Sequence, residues 1–206
     1  MGWVIAIIDY GMGNLRSVQK CLEKNGFRTA IVSSPDGLAG AGGIILPGVG
    51  AFEDAVVNLR NRGLDRAIRE AADEGQPVLG ICLGMQLFFE VSEEGGSCEG
   101  LGIFSGRVRR FAGDLKVPHM GWNRVELRGA NPLFDGIPDG SYFYFVHSYY
   151  VEPAAEEHIV GETVYGGRFV SAVADRNVFG VQFHPEKSSE LGERLLYNFG
   201  KLVESC

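Results

Sequence analysis

The chain has 206 residues, enough for one sizeable hydrophobic core but too few for a second large domain, and residues 1–206 are read as a single domain. Its 19 basic and 26 acidic residues leave a net charge of -7, which disfavours sequence-independent binding to nucleic-acid phosphates or to anionic membranes. Four cysteines with no CxxC pair and no regular spacing argue against a zinc site or a disulfide framework, and a reducing cytoplasm is expected.

The first apolar run, Val4-Ile5-Ala6-Ile7-Ile8, lacks a basic flank and is far too short to span a bilayer, so it reads as a buried strand. Met1-Gly2 opens an acylation pattern, but Ala6 stands where that pattern needs Ser or Thr. Gly11-Met12-Gly13-Asn14 leads into a predicted helix over 15–25, closed by Gly26, and a strand over 29–32. A glycine-rich approach then reaches a strand over 43–47, Gly48-Val49-Gly50, helices over 52–61 and 64–74, and a strand over 78–81 that runs into a further helix. Such alternation is the signature of βα units on a parallel sheet.

From about Gly102 the pattern becomes strand-and-turn, with predicted strands over 102–111, 123–127, 142–151, 159–164, 169–174 and 178–183. Several alternate apolar and polar residues, as half-buried antiparallel strands do. The cluster Arg107-Val108-Arg109-Arg110 reads as the solvated face of one of them, with an interface as the alternative. A last helix over 190–203 carries Leu191, Leu195, Leu196, Phe199 and Leu202 at helical spacing and should dock on the sheet. The expected fold is therefore α/β, an open and mostly parallel sheet flanked by helices, with added antiparallel strands in its second half.

Cys82 lies between Gly80 and Gly84 where the strand over 78–81 meets its helix. That is a nucleophile-elbow pattern: the turn lifts the side chain above the sheet, and a helix N-terminus behind it favours a thiolate. A buried core cysteine is the plainer reading of any lone Cys. Cys21 (helix core), Cys98 (polar loop) and the terminal Cys206 have no comparable setting. His184-Pro185-Glu186 ends the strand over 178–183, and Pro185 stops the ladder so that His184 and Glu186 can share one side. Cys82, His184 and Glu186 would then form a triad in which the carboxylate orients the imidazole that serves the sulfur; taken alone, the second motif is also consistent with a polar strand end. For an oxyanion hole, Leu83 offers the N–H that follows the nucleophile, and Val49, freed by flanking glycines, offers another, although Pro47 to Gly50 also fits an ordinary tight turn.

With these residues the chain resembles the class I (triad-type) glutamine amidotransferases. Asp9-Tyr10-Gly11-Met12-Gly13-Asn14, Pro47-Gly48-Val49-Gly50, Gly80 to Gln86, Pro118-His119-Met120-Gly121-Trp122-Asn123, Tyr144 to Tyr149 and His184 to Ser188 carry the likeness over essentially the whole chain. Within the class, Pro47 to Gly50 and Pro118 to Asn123 are similar to the glutaminase subunits of imidazole glycerol phosphate synthases. The resemblance implies a flavodoxin-like fold, hydrolysis of glutamine through a thioester on Cys82, and delivery of ammonia to a (β/α)8-barrel cyclase in a heterodimer of histidine biosynthesis. It implies glutamine contacts at Gly50, Gln86, Tyr144, Val146, His147 and Ser148, and places Asn14, Trp122 and Lys187 towards the cyclase. The residues themselves favour a satisfied structural histidine at His147. Neither metal nor organic cofactor is expected. The alternatives are a glutaminase subunit of another class I amidotransferase or a non-catalytic regulatory subunit on the same fold.

Overall fold

A computed structural model of the chain describes residues 3–205; the Met1-Gly2 acylation pattern and Cys206 lie outside the described residues. The first half builds β1 (Val4–Ile8), α1 (Leu15–Lys24), β2 (Arg28–Val32), β3 (Gly43–Gly48), α2 (Phe52–Asn61), α3 (Leu64–Asp73), β4 (Val78–Cys82) and α4 (Leu83–Leu87). The second half adds β5 (Phe89–Ser92), β6 (Cys98–Glu99), β7 (Phe104–Arg110), β8 (His119–Leu127), β9 (Ser141–His147), β10 (Tyr149–Pro153), β11 (Ile159–Val164), β12 (Arg168–Asp175), β13 (Val178–Val181) and α5 (Ser189–Glu204).

The sheet runs β2-β1-β3-β4-β13-β12-β10-β7-β5-β6, with β11 joining β12 to β8, and β8 pairing β9. From β2 to β13 it is parallel. Those strands are almost continuously apolar because both faces are covered. In β1, Ile5 and Ile7 face the core shared with Val18 and Leu22 of α1 and Leu195 and Phe199 of α5, while Ala6 and Ile8 face Phe52 and Leu59 of α2 and Ile68 of α3. Period-two alternation thus feeds two separate cores. The β3–β4 register sets Gly48 beside Cys82, which brings two strand ends of the predicted site together at the carboxyl edge of the sheet.

The helix expected after Cys82 is present, and two other expectations are corrected. The helix after Cys82 has only five residues. Its carbonyl ladder is taken over by the segment that follows: Leu101 N–H donates to Leu87 O (2.8 Å), Ile103 N–H to Phe88 O (2.7 Å) and Phe104 N–H to Phe88 O (3.0 Å), so the chain leaves the helix as β5. Residues 142–151 are two strands, broken at Ser148, because β9 pairs β8 whereas β10 pairs β7 and β12. The strand expected over 123–127 begins earlier, at His119, since β9 offers a partner for each residue from His119 to Val125.

The arginine cluster lies on β7 beside β10. Arg107 and Arg109 pair with Glu152 at 3.1 and 2.9 Å on a solvated face, as the sequence pattern suggests.

Candidate active site

Cys82 adopts φ 55° and ψ -109°, a left-handed backbone that L-residues avoid. The surroundings hold it there. A Cβ on Gly84 would run into the Leu46 carbonyl, and one on Gly80 would come within 2.7 Å of the Gly84 and Met85 backbone. The two glycines are therefore required by close backbone approach, as the elbow pattern anticipated. Cys82 is 6% exposed. Because α4 is short, its macrodipole is small, but Leu83 still opens it with an N–H that has no acceptor within the helix.

His184 follows β13 and Glu186 lies in a short 3-10 turn, Pro185–Lys187. That turn holds His184 Nδ1 2.9 Å from Glu186 Oε1, with the two side chains only 2% and 1% exposed. Asn14 Nδ2 also donates to Glu186 Oε1, at 3.2 Å. A carboxylate accepts only, so Nδ1 carries the proton and Nε2 faces the sulfur side. Burial opposes charge on His184, but the nearby Cys82 and the hydrogen-bonded, negatively charged Glu186 outweigh it and push its pKa up to about 10. The arrangement favours an imidazolium beside the sulfur.

A cavity of about 390 Å³ opens over the sulfur. Val49, Gly50, Cys82, Leu83 and Gln86 form one wall, Val146, His147 and Ser148 the other. Gly50 has φ +100°, and a Cβ there would press on Met12 Cε at 2.5 Å. Beneath Gly48 the Tyr10 hydroxyl is buried without a hydrogen-bond partner, and burial followed by the nearby Cys82 charge raises its pKa. Gln86 Nε2 donates to Tyr149 O and to Gln182 Oε1, both at 3.0 Å, which leaves its carbonyl oxygen for a ligand donor. His147 Nδ1 meets Tyr149 O at 2.7 Å and its Nε2 meets His119 Nδ1 at 3.0 Å, so both nitrogens are engaged.

This geometry can be set beside known proteins. The family model described as "Glutamine amidotransferase class-I" matches residues 6–202. The chain belongs to this family. Among the relatives of this amidotransferase, the "Imidazole glycerol phosphate synthase subunit HisH" of Moorella thermoacetica is 55% identical over 199 residues, covering 97% of this chain and 95% of the relative. The subunit of the same description from Desulfitobacterium hafniense is 52% identical over 200 residues, covering 97% and 95%. In fold the amidotransferase is similar to PurLQS from Thermotoga maritima, with a TM-score of 0.80 at 21% identity, covering 98% of this chain and 100% of that one.

Of the residues expected to meet glutamine in this amidotransferase, Tyr144 stands apart. It does not line the cavity; its ring lies 6.2 Å from Trp122, edge to face, and 5.9 Å below Lys187 Nζ. Tyr144 shares its face of β9 with Val146, which does line the cavity, but sits two residues back along the strand, where it is half-buried. Trp122 is 52% exposed and Lys187 is exposed, while Asn14 is half-buried and reaches inward to Glu186. Three lining residues escaped the sequence reading: Glu94, Pro118 and Tyr149, whose carbonyl oxygen accepts from the Gln86 amide. Glu94 comes from the turn after β5, where its Oε2 accepts the Phe52 N–H at 2.9 Å, and the run of polar residues there gave no sign of a site. Pro118 lines the rim, just before β8.

Proposed function

We propose that the chain, acting as one glutaminase domain, hydrolyses the side-chain amide of glutamine and passes the ammonia to a (β/α)8-barrel cyclase. The pair would be a heterodimeric imidazole glycerol phosphate synthase of histidine biosynthesis, also releasing AICAR. Likeness to HisH subunits over nearly their full length supports the pathway and the partner. The observation that carries the chemistry is the buried His184–Glu186 pair at 2.9 Å beside a thiol on a strained elbow. Unpaired thiols at Cys21, Cys82 and Cys98 support a cytoplasmic setting; among the described residues no helix is long and apolar enough to cross a membrane.

In this reading the Cys82 thiolate attacks the amide carbon, and the oxyanion takes N–H donors from Leu83 and Val49. His184 gives its proton to the departing nitrogen, ammonia leaves, and a γ-glutamyl thioester remains. Water then yields a proton to His184, attacks the thioester and releases glutamate and the thiolate. Gly50, Val146, His147 and Ser148 bound the substrate, and the Gln86 carbonyl and Glu94 carboxylate are suited to an α-ammonium group. Asn14, Trp122 and Lys187 lie towards the cyclase.

The Val49 peptide acts as a gate, turned inward when the ligand-loaded cyclase docks. Glutamate release is the test, measured for the chain alone and with the cyclase and its nucleotide, with Cys82→Ala as blank. Release that appears only in the loaded complex is expected. No release in either state would remove the glutaminase assignment, and full release by the free chain would remove the gate.

A further inference from the structure

Gln182 plays no part in the scheme above, yet it touches the reacting sulfur. It lies directly after β13, is 0% exposed, and its Nε2 stands 3.6 Å from Cys82 Sγ, within hydrogen-bond range for the larger sulfur atom. We propose that Gln182 is a further catalytic residue, whose amide N–H stabilises the Cys82 thiolate and is aimed at it by a buried chain of hydrogen bonds anchored on the Tyr149 carbonyl. The inference rests on the reading of Cys82 as the nucleophile.

The direction of the chain follows from its anchor. A backbone carbonyl only accepts, so the Gln86 group facing Tyr149 O is its NH2, at 3.0 Å. Turned round, Gln86 would set oxygen against oxygen. The second Gln86 N–H goes to Gln182 Oε1, also at 3.0 Å. Gln182 must then present its own NH2 to the sulfur, because the reverse orientation would oppose two NH2 groups and point an oxygen at a thiolate. With Gln86 only 4% exposed, the two amide dipoles add in a medium that screens them little.

The anchor is itself fixed. His147 Nδ1–H donates to Tyr149 O at 2.7 Å, so its Nε2 is a lone pair that accepts from His119 Nδ1–H at 3.0 Å. His119 Nε2 in turn accepts from Asn123 Nδ2 at 3.1 Å, and Asn123 also donates to Val164 O at 3.0 Å. One proton arrangement satisfies every link, and it requires both histidines to be neutral. Burial independently favours that state, pushing His147 down to about 3 and His119 down to about 4. The competing contact, Cys82 Sγ to Val146 O, is long at 4.0 Å and would favour a protonated thiol. A neutral donor at 182 thus favours the ionised sulfur without competing with His184 for charge.

The test is alkylation of Cys82 by iodoacetamide in the full chain between pH 5 and 10, with the modified cysteine identified by peptide mass spectrometry. His184, Glu186, Tyr10, His147, Glu94 and Tyr149 are the other titratable groups around the sulfur and are unchanged in each variant. In Gln182→Met the alkylation midpoint should rise by about one pH unit, a tenfold loss of thiolate on the acid side. Glutamine turnover with the cyclase should show a similar loss in kcat with KM little changed, because Gln182 does not line the cavity. Gln86→Met should move the midpoint the same way by a smaller step. If Gln182→Met does not fold by circular dichroism, Gln182→Glu, which keeps the shape and sets a carboxyl group against the sulfur, takes its place and should also raise the midpoint. An unchanged midpoint in the folded variant overturns the assignment. A wild-type chain that alkylates at low pH but releases no glutamate with the cyclase would overturn the glutaminase reading and leave the role of Gln182 intact.

Discussion

Cys82 helps to set the charge of His184, and this makes the contact measurable. The His184 pKa is raised because Cys82 and Glu186 together overcome burial, so Cys82→Ala should remove one of the two supports. Proton NMR of the imidazole should show wild-type His184 still charged at pH 8, and the Ala variant titrating at a lower pH; coincident titrations would disprove the thiolate–imidazolium pair. The sign for stability follows from linkage. A folded pKa of about 10 against an ordinary 6.5 contributes stability that is complete below pH 6.5 and lost as pH rises towards 10. His119 and His147 act in the opposite sense. Their folded values of about 4 and about 3 mean that the unfolded chain binds more protons below pH 6.5, so acid weakens the fold. Urea unfolding at pH 7 and pH 5 should show this, and His147→Gln should flatten the acid slope by about 1 kcal/mol per pH unit. Cys82, His184 and Glu186 were legible in the sequence because glycine spacing and Pro185 mark their turns. Gln182 was not: in an apolar run one polar residue reads as an outward-facing position, and only the fold reveals the sulfur behind it.

Elements were legible where one periodicity persists to a natural stop. The helices α1, α2 and α3 and the strands β1 to β4 carry continuous apolar faces closed by glycine or polar turns. The breaks that were missed arise from partners distant in sequence. Residues 101–104 capture the carbonyls at 87 and 88 and cut α4 short, and the alternation of 142–151 continues unbroken through Ser148 while the pairing partner changes from β8 to β7. The elbow is the element on which the site depends, and its Gly84 differs in kind from Gly113 in the loop after β7. Gly84 is needed for space, since a Cβ would enter the Leu46 carbonyl of β3, backbone that cannot yield without moving the strand. Gly113 is needed only for its φ of +83°, with nothing within 4 Å. Gly84→Ala should therefore cost about 3 kcal/mol or more and Gly113→Ala about 1 kcal/mol. Urea midpoints compare the two directly. Equal losses would mean that the close approach of α4 to β3 is not what the elbow requires.

On the scale of the whole molecule, the two helical layers cover the parallel strands, whereas the β8–β9 hairpin leaves a face open beside the site. Met120, Trp122 and Tyr142 are 63%, 52% and 57% exposed there, an unusual concentration of large apolar side chains. Tyr144 joins Trp122 to Lys187, the residue next to Glu186, so this face adjoins the catalytic turn. Ammonia released above Cys82 would be lost to water unless the partner seals that side, which makes this the fitting place for the proposed cyclase to dock. An exposed tryptophan against a tyrosine edge is also the kind of anchor on which binding energy concentrates. Trp122→Ala should weaken the complex at least tenfold by calorimetric titration with the cyclase. It should leave the melting temperature of the free chain almost unmoved, because the ring fills no core. An unaltered Kd would place the docking face elsewhere, and a lowered melting temperature would return Trp122 to the fold. The inner edge of the same hairpin carries His119 and Asn123, which anchor the chain of hydrogen bonds leading to Gln182. A partner that shifts β8 thus acts on the donor to the sulfur as well as on the access of water, and loss of stimulation in Asn123→Ala with Kd unchanged would separate the two effects.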